Sequence, residues 1–180
     1  MTPTTIGRAG ILALLFWWTW RLVPHPLDWT RINASFLHLV NLPFHEAGHI
    51  VFSPFGEFMT VFGGSLLQVV VPIACAVAFA RRDDWFGLAV ACWWAGENLV
   101  DLGPYIADAR ALQMPLLGGA TGTEVEGHDW EAILLRIGWL HLDRSLGIGA
   151  HVAGSILMLG ALVLGTWILF NGSRFEAVDA

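Results

Sequence analysis

The stretch His45-Glu46-Ala47-Gly48-His49 has the pattern HExxH and lies inside the apolar run 42–52. On a helix, residues four apart project from one face about one turn from each other, so both imidazoles can reach one Zn²⁺ ion. Glu46 would lie beside the open coordination position, where a carboxylate can accept a proton from an attacking water. The stretch therefore predicts a hydrolytic zinc site, with His45 and His49 as metal ligands and Glu46 as the catalytic base. The alternative is an ordinary helix with two satisfied histidines and an interfacial acid.

The composition around this motif is typical of a membrane protein. Hydrophobic residues make up 56% of the 180 residues and charged residues 13%, and the mean hydropathy is +0.61. Ten tryptophans fit rings at a membrane interface. The net charge of −6 gives no basic surface, so no nucleic-acid partner is expected. We expect the lipid bilayer to surround the chain.

Five apolar segments are long enough to be predicted as membrane spans. The first could instead be a signal peptide, but no small-residue cleavage site follows it, so a retained span is preferred. A Gly-rich loop over residues 109–129 and a short interfacial helix over residues 130–142 are expected between the fourth and fifth spans. The predicted fold is an all-α, multi-pass transmembrane helical bundle forming one domain over residues 1–180, with spans at 6–23, 33–52, 63–80, 85–105 and 148–170.

The third metal ligand must come from another segment, and the fourth span offers a polar stripe at helical spacing that contains Asn98, Asp101 and Asp108. Counting at about 1.5 Å per residue from the membrane face where the motif helix ends places Asp101 at the depth of His45 and His49. Asp101 is therefore the predicted third ligand. Asp108 falls at or beyond the surface and is the second choice. The alternative is a stripe that only joins helices.

The loop before the short helix supplies a further candidate. Residues 118–129 are predicted to be a mobile cover over the site, because their glycines cost little to move. His128 is then the third choice as metal ligand, and His128 or Asp129 could act as an inhibitory ligand in a closed form. The alternative is a plain surface loop in which Asp129 is the N-cap of the following helix.

These motifs resemble those of the site-2-protease family of intramembrane zinc metalloproteases. His45, Glu46 and His49 match the HExxH of that family's first core span. The family's Gly-Pro-x-x-Asn is replaced here by Gly64-Ser65-Leu66-Leu67-Gln68. Its Asn-x-x-Pro-x-Pro-x-x-Asp-Gly is replaced by Asn98-Leu99-Val100-Asp101-Leu102-Gly103-Pro104, in which the spacing differs and no glycine follows the aspartate. The resemblance covers residues 33–108.

The resemblance implies a zinc-dependent endopeptidase of the membrane, in which Glu46 is the general base for a zinc-activated water. In that family the aspartate of the third motif is the third zinc ligand, which is the role that depth along the helix assigns to Asp101 here. Asn98 and Gln68 are expected to position the substrate, and Asn98 could also orient a ligand. The expected substrate is a membrane protein or peptide whose helix unwinds locally to expose a bond. We expect a multi-pass protein of a bacterial cytoplasmic membrane.

A second function class stays open at this point. The chain could be a non-enzymatic, metal-binding membrane subunit that retains the site to brace its helices or to bind a partner. Glu46 favours the enzyme, because a structural zinc site needs four filled positions and no adjacent base. The departure in the third motif favours the subunit. A weaker option is a metal or proton path through the bundle, and small residues in the last span suit a helix–helix partner: Gly149, Ala153, Gly154 and Gly160.

Overall fold

The computed structural model describes residues 2–171, and within this range the chain folds into seven α-helices. The described residues contain no β-strand, only an isolated bridge between Pro115 and Thr121. The prediction of an all-α fold is therefore confirmed. In chain order the helices are α1 (Pro3–Leu22), α2 (Trp29–Asn33), α3 (Phe36–Phe52), α4 (Glu57–Ala80), α5 (Trp85–Ala107), α6 (Asp129–Arg136) and α7 (Asp143–Asn171).

The helix ends differ from the prediction where a cap or a glycine intervenes. The predicted segment 33–52 is divided, because the Ser35 hydroxyl accepts a hydrogen bond from the Leu37 N–H and starts α3 as a new helix. A short 3₁₀ turn (Ser53–Phe55) and Gly56, at φ +94°, then reverse the chain, so α4 begins at Glu57 instead of residue 63. The predicted helix 130–142 ends at Arg136, because Gly138 takes a left-handed φ of +75°.

Two helix pairs pack so closely that only glycine fits between their backbones. A Cβ added at Gly63 of α4 would lie 2.6 Å from the Gly48 carbonyl oxygen of α3. A Cβ at Gly147 of α7 would likewise lie 2.5 Å from the Gly103 oxygen of α5, and one at Gly96 of α5 would lie 2.7 Å from the Gly154 oxygen of α7. These crossings fix the HExxH helix against α4 and fix α5 against α7.

The apolar core lies where α1, α5 and α7 meet. Trp93 of α5 is fully buried there and donates an indole hydrogen bond to Thr19 Oγ1 of α1, at 2.8 Å. His151 of α7 holds the end of α1 through a 3.0 Å contact between its Nε2 and the Val23 carbonyl. The HExxH helix α3 packs mainly on α4 and reaches this core through Leu37.

Two helical stretches in the described range are long and apolar enough to cross a membrane, Glu57–Ala80 and Leu140–Asn171. A buried core helix of a soluble protein can meet the same two conditions of length and composition. The other predicted spans do not meet them: α3 has 17 residues, arginines and tryptophans lower the hydropathy of α1, and polar residues lower that of α5.

Candidate metal centre

Three ligand atoms from two helices converge at one point. Asp129 Oδ2 lies 2.9 Å from His45 Nε2 and 3.3 Å from His49 Nε2. The two imidazole ring centres are 5.0 Å apart, and the ligand atoms of the three residues all lie within 4.8 Å of one another. Ligand atoms on a tetrahedral zinc, bonded at 2.0–2.2 Å, would be separated by about 3.3 Å. The spacing of this group therefore fits a single divalent ion.

The hydrogen-bond partners of the two imidazoles also fit a cation. His45 Nδ1 faces Gln68 Oε1 at 2.9 Å, and His49 Nδ1 faces the Thr60 carbonyl oxygen at 2.8 Å. Both Nδ1 atoms must donate to these oxygens, yet both Nε2 atoms face the Asp129 carboxylate. Two neutral rings that donate from Nδ1 would each present an Nε2 lone pair beside this carboxylate, and a divalent ion could bind these three ligand atoms together.

Space beside the two Nε2 atoms is left by Gly64, a residue of α4. A Cβ built on Gly64 would lie 2.6 Å from His49 Nε2 and 2.7 Å from His45 Nε2. Any side chain at this position would therefore contact both ligand nitrogens. The close crossing of α3 and α4 thus forms one wall of the site.

Asp129 is the first residue of α6 and is held there by contacts on either side. Its backbone N–H donates to the Tyr105 hydroxyl at 3.0 Å, and the indole of Trp130 donates to Ser65 Oγ at 3.1 Å. Burial raises the pKa of the Asp129 carboxyl, but hydrogen bonds from His45 and His49 outweigh it, so the net pKa lies below the usual 3.8. The carboxylate is therefore ionised at neutral pH and suited to bind a cation.

Asp101, the predicted third ligand, is not in this group, and Asp129 stands in its place. The Asp101 carboxylate accepts hydrogen bonds from His38 Nδ1 (2.9 Å), Gln68 Nε2 (2.8 Å) and Asn41 Nδ2 (3.3 Å). Its oxygens are therefore engaged by three donors. Asp101 lies near His45, as its predicted depth implies, but the Gln68 side chain lies between them and bonds to both.

The two alternative ligands are also engaged elsewhere. The Asp108 carboxylate accepts from the backbone N–H groups of Gln113 (3.0 Å) and Met114 (2.9 Å). His128, and not Asp129, is the N-cap of α6, because its Nδ1 accepts from the Glu131 N–H. Burial lowers the pKa of His128, which favours the neutral ring, and its Nε2 points toward Asp108 Oδ2 at 3.5 Å. Neither side chain belongs to the ligand group.

Of the two predicted substrate-positioning residues, only Gln68 reaches the site. Gln68 lines the same cavity as the ligands, but its amide is held between His45 and Asp101. Asn98 does not line that cavity. Its Nδ2 donates to the Trp94 carbonyl oxygen at 2.9 Å, and its buried Oδ1 has no hydrogen-bond partner. The structure therefore places Asn98 inside the helix packing.

A cavity of about 410 Å³ opens onto the ligand group, and Glu46 lines it together with His45, His49 and Asp129. Residues 114–117 and 125–127 also line the cavity, whereas residues 118–124 of the predicted cover do not. The mobility of this segment stays a prediction. Comparison with protein-family models, with curated proteins and with solved structures finds no match to this chain.

Proposed function

We propose that this chain is a membrane-embedded zinc metallopeptidase that hydrolyses peptide bonds in or beside the membrane. The observation that carries the proposal is the convergence of His45, His49 and Asp129 next to a cavity that also contains Glu46. The motif resemblance further supports a small, divergent member of the site-2-protease family.

A location across the membrane is supported by the apolar surface of the helices. On α7 the exposed side chains recur every three or four residues, and Val163 is 71% exposed. Each Å² of apolar surface that stays in water forgoes about 25 cal/mol of favourable transfer free energy. Lipid around this stripe would remove its surface from water. We therefore place α1, α3 and α5 beside α4 and α7 in a multi-pass bundle of a bacterial cytoplasmic membrane. The stripe consists of Val152, Ile156, Leu159, Val163, Trp167 and Phe170.

The roles of the site residues follow from their chemistry. His45 and His49 would hold Zn²⁺ through Nε2, and Asp129 would hold it through a carboxylate oxygen, which leaves one position for water. A bound zinc supplies Lewis acidity and lowers the pKa of a coordinated water. Glu46 then takes the proton of the attacking water and returns it to the leaving amine.

The test begins with zinc analysis of freshly purified protein in detergent, followed by incubation with fluorescently labelled β-casein and with synthetic single-span peptides. We expect one zinc per chain and zinc-dependent cleavage. The Glu46→Gln variant should keep the zinc and lose cleavage, because an amide cannot act as the base. Cleavage retained by this variant, or wild-type protein free of stoichiometric metal, would contradict the proposed mechanism.

A second candidate is a non-enzymatic subunit in which the metal braces the fold. The observation that favours it is that the third ligand comes from α6, a helix of eight residues outside the bundle. A metal would then tie α6 to α3. This function would be favoured over the peptidase if the protein binds stoichiometric zinc but cleaves neither kind of probe. The Glu46→Gln variant should then have the same zinc content and stability as wild type.

A further inference from the structure

We infer that Gln68 and Asp101 form a positioning pair that selects which nitrogen of His45 faces the metal. This inference rests on the proposed metal centre and assigns a role to two polar side chains outside the ligand group. It replaces the substrate-contact role expected for Gln68 and the ligand role expected for Asp101. The three residues come from three helices: His45 from α3, Gln68 from α4 and Asp101 from α5.

The orientation of the Gln68 amide is fixed by the group behind it. An amide has one acceptor oxygen and one donor NH₂ group. Gln68 turns its Nε2 toward Asp101 and donates to Oδ2 at 2.8 Å, an oxygen that also accepts from Asn41. Its Oε1 then faces His45 Nδ1 at 2.9 Å and can only accept. His45 must therefore carry a proton on Nδ1, which leaves the Nε2 lone pair for the metal.

Asp101 is held in place by donors from α3. His38 Nδ1 contacts Oδ1 at 2.9 Å, and Asn41 Nδ2 contacts Oδ2 at 3.3 Å. Asn41 is fully buried and is itself held by the Trp94 indole, which donates to Asn41 Oδ1 at 2.9 Å, and by Glu97 Oε2, which accepts from Asn41 Nδ2 at 2.9 Å. The pair is thus part of a hydrogen-bond network that connects α3, α4 and α5.

The other histidine provides an internal comparison. His49 Nδ1 donates to the backbone carbonyl of Thr60, so neither Gln68 nor Asp101 sets its orientation. Loss of Gln68 or Asp101 should therefore disturb His45 and leave His49 unchanged. A general loss of folding would disturb both rings, which separates the positioning role from a merely structural one.

The experiment compares Gln68→Leu, Asp101→Leu and Asp101→Asn with wild type and with Ser155→Ala. Ser155 is a suitable control, because it is also buried and bonded only within its own helix, to the His151 carbonyl. Zinc affinity is measured by competition with a chelator in detergent. We expect the two leucine variants to bind zinc about 10–100-fold more weakly. Asp101→Asn should retain most of the affinity, because its amide oxygen can still accept from Gln68, and Ser155→Ala should match wild type.

The spectroscopic readout is ¹⁵N NMR of the histidine rings in the zinc-loaded protein. For wild type we expect coordination through Nε2 and a protected Nδ1–H at both His45 and His49, and Gln68→Leu should lose this signature at His45 alone. Coordination of wild-type His45 through Nδ1 would overturn the inference, even if the leucine variants fail to fold. Wild-type zinc affinity in a folded Gln68→Leu protein would also overturn it. Cleavage by Glu46 is a separate measurement, so the peptidase proposal can fail while the positioning pair stands.

Discussion

At the scale of single residues, the site depends on what each polar group has available to bond. Asp101 and Asp129 are chemically identical, yet Asp101 accepts from three side-chain donors while Asp129 faces two imidazole nitrogens. The Asp101 carboxylate already accepts from three donors and would gain little from a metal ion, whereas the Asp129 carboxylate faces the two Nε2 atoms that could bind the same ion. This difference determines which carboxylate can complete the ligand group.

The first prediction concerns Asp129. We expect Asp129→Ala to lose stoichiometric zinc, as His45→Ala and His49→Ala should, because each change removes one of three ligands. Asp108→Ala is the matched control, since it removes a nearby carboxylate that contacts only backbone N–H groups and His128. Metal content per chain, measured by elemental analysis, checks the result. Zinc retained by Asp129→Ala but lost by Asp108→Ala would reverse the assignment.

The second prediction concerns Gly64. Gly64→Ala should abolish zinc binding while the fold is retained, because the added methyl group would lie within 2.7 Å of both Nε2 atoms. Gly149→Ala is the control, since a Cβ at that helical glycine meets nothing within 4 Å. Zinc content and thermal unfolding are measured for both variants. Normal zinc content in Gly64→Ala would show that the ion binds elsewhere.

At the scale of helices, glycine contacts decide which faces meet. The polar face of α5 turns toward α3 and α4 because the opposite face of α5 packs on α7 at Gly96 and Gly103. Small residues permit this approach, and no larger side chain fits between the two backbones. The polar network next to the candidate metal centre therefore depends on a packing contact between α5 and α7, neither of which contributes a residue to the ligand group.

The third prediction tests that contact. Gly154→Ala in α7 should lower stability by about 1–3 kcal/mol, because its Cβ would press on the Gly96 carbonyl and on Val100. Gly160→Ala in the same helix meets nothing within 4 Å, so its better helix propensity should leave stability unchanged or slightly higher. The difference in unfolding temperature between the two variants is the measurement. Equal temperatures would mean that the crossing tolerates a larger residue.

At the scale of the whole molecule, the metal would connect parts of the chain that otherwise share few contacts. His45 and His49 lie on α3, and Asp129 begins α6 after a loop of 21 residues between α5 and α6. A bound ion would join the bundle to this loop and to α6, and would favour the folded state by mass action.

The fourth prediction follows from that link. Removal of zinc with a chelator should lower the unfolding temperature of wild type, because an ion present at about 100 times its Kd contributes about 2.7 kcal/mol. It should also increase proteolytic cleavage within residues 109–128, which the ion would no longer tether through Asp129. Asp129→Ala, treated in the same way, should not respond to the chelator. A chelator effect of equal size in this variant would show that the ion stabilises another region.

The fifth prediction concerns the membrane. The protein should remain in the membrane fraction after extraction with alkaline carbonate and should require detergent for release, because apolar side chains such as Ile50 and Phe170 are exposed on the helices. A soluble fraction that is monomeric without detergent would exclude the multi-pass arrangement. Single cysteines introduced at Ile156 and Val163, in a background without Cys75 and Cys92, should resist water-soluble maleimides.

The sequence by itself determined the all-α fold, the HExxH helix and the relation of His45, Glu46 and His49, because these depend on local periodicity along one segment. It also indicated that Gln68, Asp101 and the loop before α6 belong near the motif. Only the tertiary structure brought Asp129, the proposed third ligand, to the two histidines. From the sequence, Asp129 was expected to be either the N-cap of a helix or an inhibitory ligand in a closed form. Its approach to the histidines depends on where α6 docks, through Tyr105 and Trp130, on helices distant in sequence. The sequence gives the depth of a side chain along its helix axis. The direction in which the side chain points depends on how the helices rotate and pack against each other.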